Sequence, residues 1–541
     1  MELINQHTKE IMEGCKLRAR AAGLSFTDES LEYIVTNRDL IELSPKVMIP
    51  TLYDYWVHDV EVLRGKGEYE LYPNNPYETV INTRPPISFY NDNNPDWLNV
   101  MIFYHVLGHI DFFQNNLYFR HTWEYDFTGQ ALSDKRVIAK LRAEKGRWVD
   151  YILEFARSLD NLVGYHAELS PLFASREAVC SARLNYYFDV FLQIEKKLPV
   201  GEYLKEVARY NESIAENAEE GERLFFADAV AKYPEMEAHF TRNAGAKHVE
   251  RGDLRRFLVG NSEFLNRDDN IWMRSVLEVV RKTSIFFQPQ IRTKIMNEGW
   301  ASYWHEKLFL EDDRIRGHEV DFARVHAGVT SMPRVGMNPY ALGMRLMSFL
   351  KEAGDKGKTG YQFQRIADAE QRKKYDTGAG LGDEHIFRVR TNYCDYLFIK
   401  DFVDQDFTDR HDLFVTGKRL DPQRMVWQYY VKSRDAAQYR DMVLASLYHP
   451  PHIEIAPERG LDGTLYLVHH FEGKQLVQEY IANTMIGIEF LWGAPVQLET
   501  SEAVVEATRG GGGREGGEET DITWQRVVYT MKDKTLERKA L

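Results

Sequence analysis

The 541-residue sequence is poor in cysteine, with only Cys15, Cys180 and Cys394, which lie far apart and never form a Cys-x-x-Cys pair. This spacing excludes a scaffold held by several disulfides and a zinc finger built on paired thiolates. Few, isolated and odd-numbered cysteines are typical of proteins in a reducing compartment. We therefore expect a cytoplasmic protein.

Long apolar runs and an excess of positive charge are also absent. No stretch reaches about 18 uninterrupted apolar residues, so no membrane span is expected, and residues 1–6 do not resemble the start of a secretory signal. Lys and Arg total 68 against 82 Asp and Glu, a formal net charge of −14. Because phosphate groups are bound by clustered cations, we expect neither nucleic acid nor an anionic membrane as the main partner.

The remaining composition is that of a globular protein, with 44% hydrophobic and 28% charged residues. Apolar residues recur at helical spacing over most of the first 350 positions. The segment 354–382 differs, because it holds six glycines and many charges. The sequence thus predicts an α+β fold: a mainly helical region over 1–353, a linker or loop over 354–382, and a smaller α/β domain over 383–541.

The α/β prediction depends on β-rich segments near the C-terminus. A helix is expected between the first two of them, and a flexible glycine-rich loop between the last two. The predicted strands are 465–471, 496–500 and 526–531, the helix is 474–492, and the loop is 509–517.

Two histidines, His105 and His109, are four positions apart in a predicted helix that Pro95 opens and that ends near Asn116. At this spacing they share one helix face and could bind one metal ion. With 17 histidines in the chain, about half of one such pair is expected by chance. The pair alone therefore equally suits two core histidines bonded to neighbouring carbonyls.

A second predicted helix, opened by Pro289, places Glu298, Ser302 and His305 on one otherwise apolar face. A buried carboxylate is costly unless it is paired or bound to a cation. The alternative to a metal site is a buried pair of Glu298 with His305 or with an arginine.

Each of the two helices also contains a glycine beside its candidate ligands, Gly108 and Gly299. A glycine inside a helix costs about 1 kcal/mol relative to alanine, which close approach of two helices could offset. The two polar faces could then meet and offer two histidines, one glutamate and a third histidine, His305, to one cation. Zn, Fe, Mn and Ni all accept such ligands.

Four blocks of the sequence occur in the order of a known family. They are residues 105–116, 289–305, 338–343 preceded by 327–329, and 466–500. Together they resemble the SpoVR family, the stage V sporulation protein R-like proteins of bacteria. The resemblance implies a cytoplasmic protein linked to spore cortex formation or, in bacteria that do not sporulate, to stress adaptation. It also implies the context of a PrkA-type serine kinase as a protein partner, and no settled reaction.

The sequence departs from the family pattern at two places. Tyr55, within residues 53–58, stands where family members usually carry the histidine of a His-Trp-Ser-x-Gly-Lys stretch, and the glycine-rich loop near 510 looks like an addition. These departures indicate a divergent member of the family.

A second resemblance concerns the site. Gluzincin-type metallopeptidases bind zinc through two histidines on one helix and a glutamate on another, so a zincin-like region would use His105, His109 and Glu298. Those enzymes carry a glutamate directly after the first histidine, where this chain has Val106. His305 is then the candidate for a fourth ligand or a general base.

The sequence offers two candidate oxyanion donors and is compatible with three kinds of activity. Tyr303 and Tyr104 are candidate donors to a developing oxyanion. Three functions are compatible with a divalent metal, expected to be Zn with Fe or Mn as alternatives. The first is hydrolysis of a peptide or amide bond, the second is an inactive zincin-like scaffold that binds partner proteins, and the third is non-hydrolytic metal chemistry.

Overall fold

The computed structural model describes most of the chain. The described residues are 2–27, 29–36, 39, 78–123, 127–159, 182–196, 198, 205–206, 209–210, 212–213, 218–245, 253–360, 363, 365–421, 426–447, 451–456, 459–460, 462–471, 475–506 and 521–541. The sequence predictions for residues 53–58 and 509–517 lie outside these ranges.

Strands and helices alternate irregularly along the chain. The strands are β1 (Glu2–Leu3), β2 (Leu31–Val35), β3 (Glu78–Ile81), β4 (Ile87–Asn91), β5 (Val415–Asp421), β6 (Val426–Ser433), β7 (His452–Ile455), β8 (Leu465–His470), β9 (Val496–Glu506), β10 (Asp521–Lys532) and β11 (Thr535–Ala540). The α-helices are α1 (Gln6–Ala21), α2 (Asp96–Asn115), α3 (Phe127–Lys145), α4 (Trp148–Ser158), α5 (Ala182–Asn185), α6 (Ala218–Lys232), α7 (Met236–Gly245), α8 (Leu254–Asn261), α9 (Ile271–Arg292), α10 (Lys294–Leu310), α11 (Glu319–Val329), α12 (Pro339–Asp355), α13 (Ala369–Lys374), α14 (Gly382–Asn392), α15 (Asp395–Phe402), α16 (Gln405–Arg410), α17 (Ala436–Ser446) and α18 (Gln478–Trp492). Short 3-10 helices occur at Leu117–Trp123 and Asp313–Ile315, and a π-helix at Tyr186–Glu195.

The chain forms two compact units, each built from separate stretches of sequence. The first unit comprises residues 1–161, 264–451 and 471–488, and the second comprises 162–263, 452–470 and 489–541. The predicted boundaries at 353 and 383 both fall inside the first unit, where α12 packs against α14. The α+β class is confirmed.

Within the described ranges, three sheets accompany the helices. The first unit contains a four-stranded sheet in the order β1-β2-β4-β3, in which only β2 and β4 run parallel, and an antiparallel pair of β5 and β6. The second unit contains a five-stranded sheet in the order β11-β10-β9-β8-β7, whose parallel strands β8 and β9 are connected through α18. The three strands predicted near the C-terminus, and the helix between the first two, are confirmed.

The core of the first unit surrounds α2. All residues of this helix from Leu98 to Phe113 are buried, as expected for a helix that is apolar on every side and is covered by its neighbours. Helix α10 packs against both α2 and α12. Across the described ranges, no helix is both long enough and apolar enough to span a bilayer.

Helix α10 begins at Lys294, and the prediction that Pro289 opens it is wrong. Pro289 lies near the end of α9, and Thr293 separates the two helices while its hydroxyl donates to the Pro289 carbonyl at 2.7 Å. The amides at the start of α10 have no acceptor within the helix and are capped from another helix. The buried Asp395 carboxylate accepts from Ile295 N and Met296 N at 2.8 and 2.9 Å. A capping side chain from a distant part of the chain leaves no local sequence signal.

Glycines bring three helices together. A Cβ atom at Gly108 would lie 2.8 Å from Ala301 Cα, so α2 and α10 meet there without room for a side chain. A Cβ atom at Gly299 would overlap the backbone of Gly343 in α12. The close approach predicted from Gly108 and Gly299 is confirmed, but Gly299 faces α12 and not α2.

Candidate metal centre

The structure brings His105, His109 and Glu298 together between α2 and α10. The two Nε2 atoms of His105 and His109 are 3.1 Å apart. Glu298 Oε2 lies 3.5 Å from His109 Nε2 and 3.8 Å from His105 Nε2. One potential ligand atom from each residue therefore faces a common point.

The spacing of these three atoms fits a tetrahedral metal ion. Bonds of about 2.0–2.1 Å at tetrahedral angles separate neighbouring ligand atoms by about 3.3 Å. The three observed separations, 3.1, 3.5 and 3.8 Å, bracket that value. Glu298 Oε2 is itself buried, and among the described residues no donor meets hydrogen-bond geometry with it.

The carboxylate of Glu298 is ionised despite its surroundings. Burial acts to raise the pKa of Glu298, but His105, His109 and Tyr340 outweigh it, so that the pKa lies below its ordinary value. Among the described residues, no lysine or arginine forms an ion pair with this side chain, which is 18% exposed. The negative charge of Glu298 thus lies beside two imidazoles, and no side chain with a permanent positive charge pairs with it among the described residues.

Asn297 fixes the orientation of His109. His109 Nδ1 lies 2.9 Å from Asn297 Oδ1, an atom that can only accept a hydrogen bond. The proton of a neutral His109 is therefore assigned to Nδ1, and the lone pair of Nε2 points at the Glu298 carboxylate. Histidine ligands of metals are usually held in this way by a bond to the other ring nitrogen.

A chain of two further histidines, hereafter the histidine relay, orients His105. His105 Nδ1 lies 2.9 Å from His305 Nδ1, and His305 Nε2 lies 2.8 Å from His326 Nδ1. His326 Nε2 lies 3.5 Å from the partly exposed Glu306 carboxylate. With Glu306 as acceptor, each ring donates outward to the next, and the His105 proton is assigned to Nδ1. Nε2 of His105 then also presents a lone pair to the centre.

The histidines of the relay are neutral at physiological pH. Burial lowers the pKa of His305 well below its ordinary value, and His105, His326 and His109 add to this effect. Burial also lowers the pKa of His326, although Glu306 opposes the shift. With the tautomers assigned from the Nδ1 contacts, Nε2 of His105, Nε2 of His109 and Glu298 Oε2 present three lone pairs to one point, which suits a cation.

His305 contacts the ring nitrogen of His105 that faces away from Glu298. The group of potential ligands that lie within 4.8 Å of one another comprises His105, His109 and Glu298, without His305. Both nitrogens of His305 are already engaged by His105 and His326. The fourth-ligand and base roles of His305 stay predictions.

The structure does not bring Tyr303 or Tyr104 to the three ligands. Tyr303 lies five residues after Glu298, about 140° around the helix, and packs on the Trp300 and Trp304 rings. The Tyr104 hydroxyl donates to Asp312 Oδ2 at 2.7 Å.

A different tyrosine, Tyr340, borders the centre. Its ring stacks on His105 with centroids 6.1 Å apart, and its hydroxyl interacts with Glu298. Sequence reasoning missed this role, although a signal was present: Asn338 caps α12 through Tyr340 N at 3.0 Å, and Pro339 occupies the first helical position. This start of α12 fixes Tyr340 one turn before Gly343, where α12 touches α10.

Asp111 belongs to the opposite side of α2, as its position around the helix indicates. It accepts from Ser25 N at 2.7 Å and from Trp300 Nε1 at 2.9 Å, and Arg390 Nε lies 3.3 Å away. The carboxylate that follows His109 by two residues is therefore neutralised locally and is separate from the centre.

The fold and the centre together define an α+β protein with a candidate two-histidine, one-glutamate metal site. The family model described as "SpoVR like protein" matches residues 2–449. The chain belongs to the SpoVR family. The first three resembling blocks lie within this match, and the block at 466–500 lies beyond it.

A relative of the chain is "Uncharacterized protein YcgB" of Escherichia coli (strain K12). The two are 26% identical over 339 residues, which cover 59% of this chain and 58% of the relative. The alignment thus spans little more than half of that protein. No solved structure matches the chain significantly.

Proposed function

We propose that this SpoVR-family protein binds one divalent metal ion through His105, His109 and Glu298 and uses it to hydrolyse a peptide or amide bond. Zinc is the expected ion, with iron or manganese as alternatives. The observation that carries the proposal is the convergence of three lone-pair atoms, 3.1 to 3.8 Å apart, around a buried carboxylate oxygen without a hydrogen bond from the described residues.

Three protein ligands suit a hydrolytic site because structural zinc sites usually have four. When bound, the ion supplies Lewis acidity to a carbonyl or to water. Tyr340, beside Glu298, is positioned to donate a hydrogen bond to negative charge that develops on a substrate oxygen. His305 and His326 hold His105 in the tautomer that leaves Nε2 free.

The alternative function is an inactive zincin-like scaffold that binds partner proteins. It is favoured by Val106, which occupies the position where related metallopeptidases carry their general base. By resemblance to the family, either function would serve spore cortex formation or stress adaptation in the cytoplasm, in the context of a PrkA-type serine kinase.

Metal titration and peptide cleavage together test the proposal. Metal-free protein is titrated calorimetrically with Zn²⁺, Mn²⁺ and Fe²⁺, as the parent and as the His105→Ala and Glu298→Gln variants. The metal-loaded proteins are then incubated with a mixture of defined peptides, and the products are identified by mass spectrometry. His385→Ala, which removes a buried histidine outside the centre, is the matched control.

We expect binding of about one ion per chain, and metal-dependent cleavage that both ligand variants lose and the control retains. Binding of the ion without cleavage of any peptide would favour the scaffold. Absence of binding by the parent for all three metals would overturn the metal-dependent hydrolase and leave the three residues as a buried polar network in a scaffold protein.

A further inference from the structure

Strands β5 and β6 form a two-stranded pair, hereafter the aromatic ribbon, whose apolar side chains are exposed. Trp427 and Tyr429 are each 56% exposed, and Val426, Tyr430 and Val431 nearly as much. A two-stranded pair is marginally stable by itself, and exposed apolar surface of this density marks interaction sites.

One face of the aromatic ribbon continues into a groove. Trp427, Tyr429 and Val431 alternate along β6 and therefore share this face. The groove has a volume of about 750 Å³, and the residues of the ribbon that line it are Thr416 and Val431. Its other apolar lining residues include Met332, Met337, Phe414, Tyr439 and Met442. Methionine-rich surfaces adapt to varied apolar side chains.

The aromatic ribbon is locally basic in an acidic protein. Strands β5 and β6 contain Lys418, Arg419 and Lys432 against Asp421, a net charge of +2, whereas the whole chain carries −14. The Lys418 ammonium lies 5.2 Å from the Trp427 ring centre, and the Arg419 guanidinium lies 6.0 Å from that of Tyr430. Cations and aromatic rings thus alternate over the surface, which favours an acidic partner.

The backbone of β6 is open to a further strand. In its sheet β6 pairs only with β5, so within the described residues its other edge has no strand beside it. The strand sequence, Val-Trp-Gln-Tyr-Tyr-Val-Lys-Ser, is rich in residues that favour strands. Edges of this kind pair readily with an extended peptide.

We infer that the aromatic ribbon and its groove bind an acidic, extended segment of a partner protein. The segment adds as a strand to β6, carries acidic side chains that the basic ribbon attracts, and inserts an apolar side chain into the groove. An unpaired strand edge favours peptide over nucleic acid, because only a peptide can continue the ladder of backbone hydrogen bonds.

A random peptide library tests this inference independently of the metal centre. Phage-displayed 12-residue peptides are selected on the full-length parent and, in parallel, on the Trp427→Ser/Tyr429→Ser double variant. The matched control is Trp148→Ser/Tyr151→Ser, because these residues form an aromatic pair in the same unit with exposures of 56% and 54%. Synthetic versions of enriched peptides are measured by fluorescence anisotropy at low and high salt, beside oligo(dT) and oligo(U).

We expect enriched peptides that combine Asp or Glu with β-branched or aromatic residues. Their affinity should fall at least about ten-fold in the ribbon variant, should weaken with salt, and should be unchanged in the control. The inference is overturned if no peptide depends on the ribbon or if the selected peptides are basic. It is also overturned if the oligonucleotides bind the ribbon in their place, or if the parent self-associates through it.

Discussion

Glu298 in the first unit and Glu499 in the second are both largely buried carboxylates, but the protein surrounds them in opposite ways. Glu499, 2% exposed, accepts from Arg459 Nη2 at 2.6 Å and from the Tyr466 hydroxyl at 2.8 Å, and also pairs with Arg526. Glu298 has two imidazoles and Tyr340 as neighbours. Burying an uncompensated charge is expensive. The difference is that no lysine or arginine among the described residues pairs with Glu298, and the proposed cation would supply that positive charge.

Four other buried acidic residues follow the pattern of Glu499. Each is compensated by an arginine or by backbone amides within the described structure. They are Asp111 with Arg390, Asp312 with Arg314, Asp395 with the amides of Ile295 and Met296, and Glu502 with Arg538. Glu298 differs from these four because its neighbours are two histidines and a tyrosine, and the proposed cation would take the place of the arginine.

The largest expected difference between Glu298 and Glu499 appears when each glutamate is neutralised in turn. Zn²⁺ at about 1,000 times its Kd should raise the free energy of unfolding of the parent by about 4 kcal/mol. Glu298→Gln should lose this increment, and Glu499→Gln should keep it. Without metal, Glu499→Gln should lower the stability by about 1–3 kcal/mol because two arginines lose their partner.

Urea unfolding with and without Zn²⁺, followed by circular dichroism, measures these differences. Equal zinc stabilisation of the parent and of Glu298→Gln would remove the distinction between the two carboxylates.

Helix packing distinguishes the two carboxylates in a second way. The helix that carries Glu298 touches its neighbours through glycine. Gly299→Ala should lower the free energy of unfolding by about 1–3 kcal/mol, because the added methyl overlaps the Gly343 backbone. Gly328→Ala in α11, where a Cβ meets nothing within 4 Å, should be neutral or stabilising by up to about 1 kcal/mol. Thermal unfolding of both variants checks the prediction, and equal melting temperatures would contradict it.

The histidine relay provides a finer test. His326→Ala should weaken zinc binding about 10–100-fold, because His305 then no longer has the acceptor that fixes the tautomer of His105. His385→Ala removes a similarly buried histidine that bonds to Arg388 and not to the relay, and it should leave the affinity unchanged. Competition with a chromogenic chelator measures both constants. An unaltered affinity in His326→Ala would show that the relay does not support the centre.

The smallest expected effect is a pH dependence of the metal-free protein. The pKa of His305 is far below its ordinary value in the folded state and near 6.5 when unfolded. Below about pH 6.5 the unfolded chain therefore binds more protons, and stability should decrease as the pH falls, by up to about 1.4 kcal/mol per pH unit. His305→Gln should show a shallower decrease in urea unfolding between pH 7.5 and 5.5 with chelator present. The same slope in both proteins would contradict the assignment of His305 as a buried neutral residue.

Periodicity and composition predicted the parts of the fold that depend on local sequence. The α+β class, the C-terminal strands and the helices that carry His105 and Glu298 follow from spacing along the chain. The partners across helices do not. His326 and Glu306 complete the relay from positions that have no fixed spacing to His105, and Gly299 meets α12 through Gly343.

Local patterns also failed where a distant side chain decides the structure. The start of α10 is set by Asp395, which lies 100 residues from Ile295, and not by Pro289. The sequence offered Tyr303 as a site residue. The packing of α12 on α10 places Tyr340 beside Glu298 and His105, a contact that local sequence does not indicate. Contacts between elements, in contrast to the elements themselves, are determined by the tertiary fold.

The metal content of untagged protein, purified without chelator and analysed by inductively coupled plasma mass spectrometry, tests the central claim most directly. The parent and the Glu298→Gln and Glu499→Gln variants are compared after reloading with Zn²⁺, Mn²⁺ or Fe²⁺. The account predicts about one ion per chain in the parent and in Glu499→Gln, and none in Glu298→Gln. A parent that holds no ion after reloading, or a Glu298→Gln variant that holds as much as the parent, would contradict it.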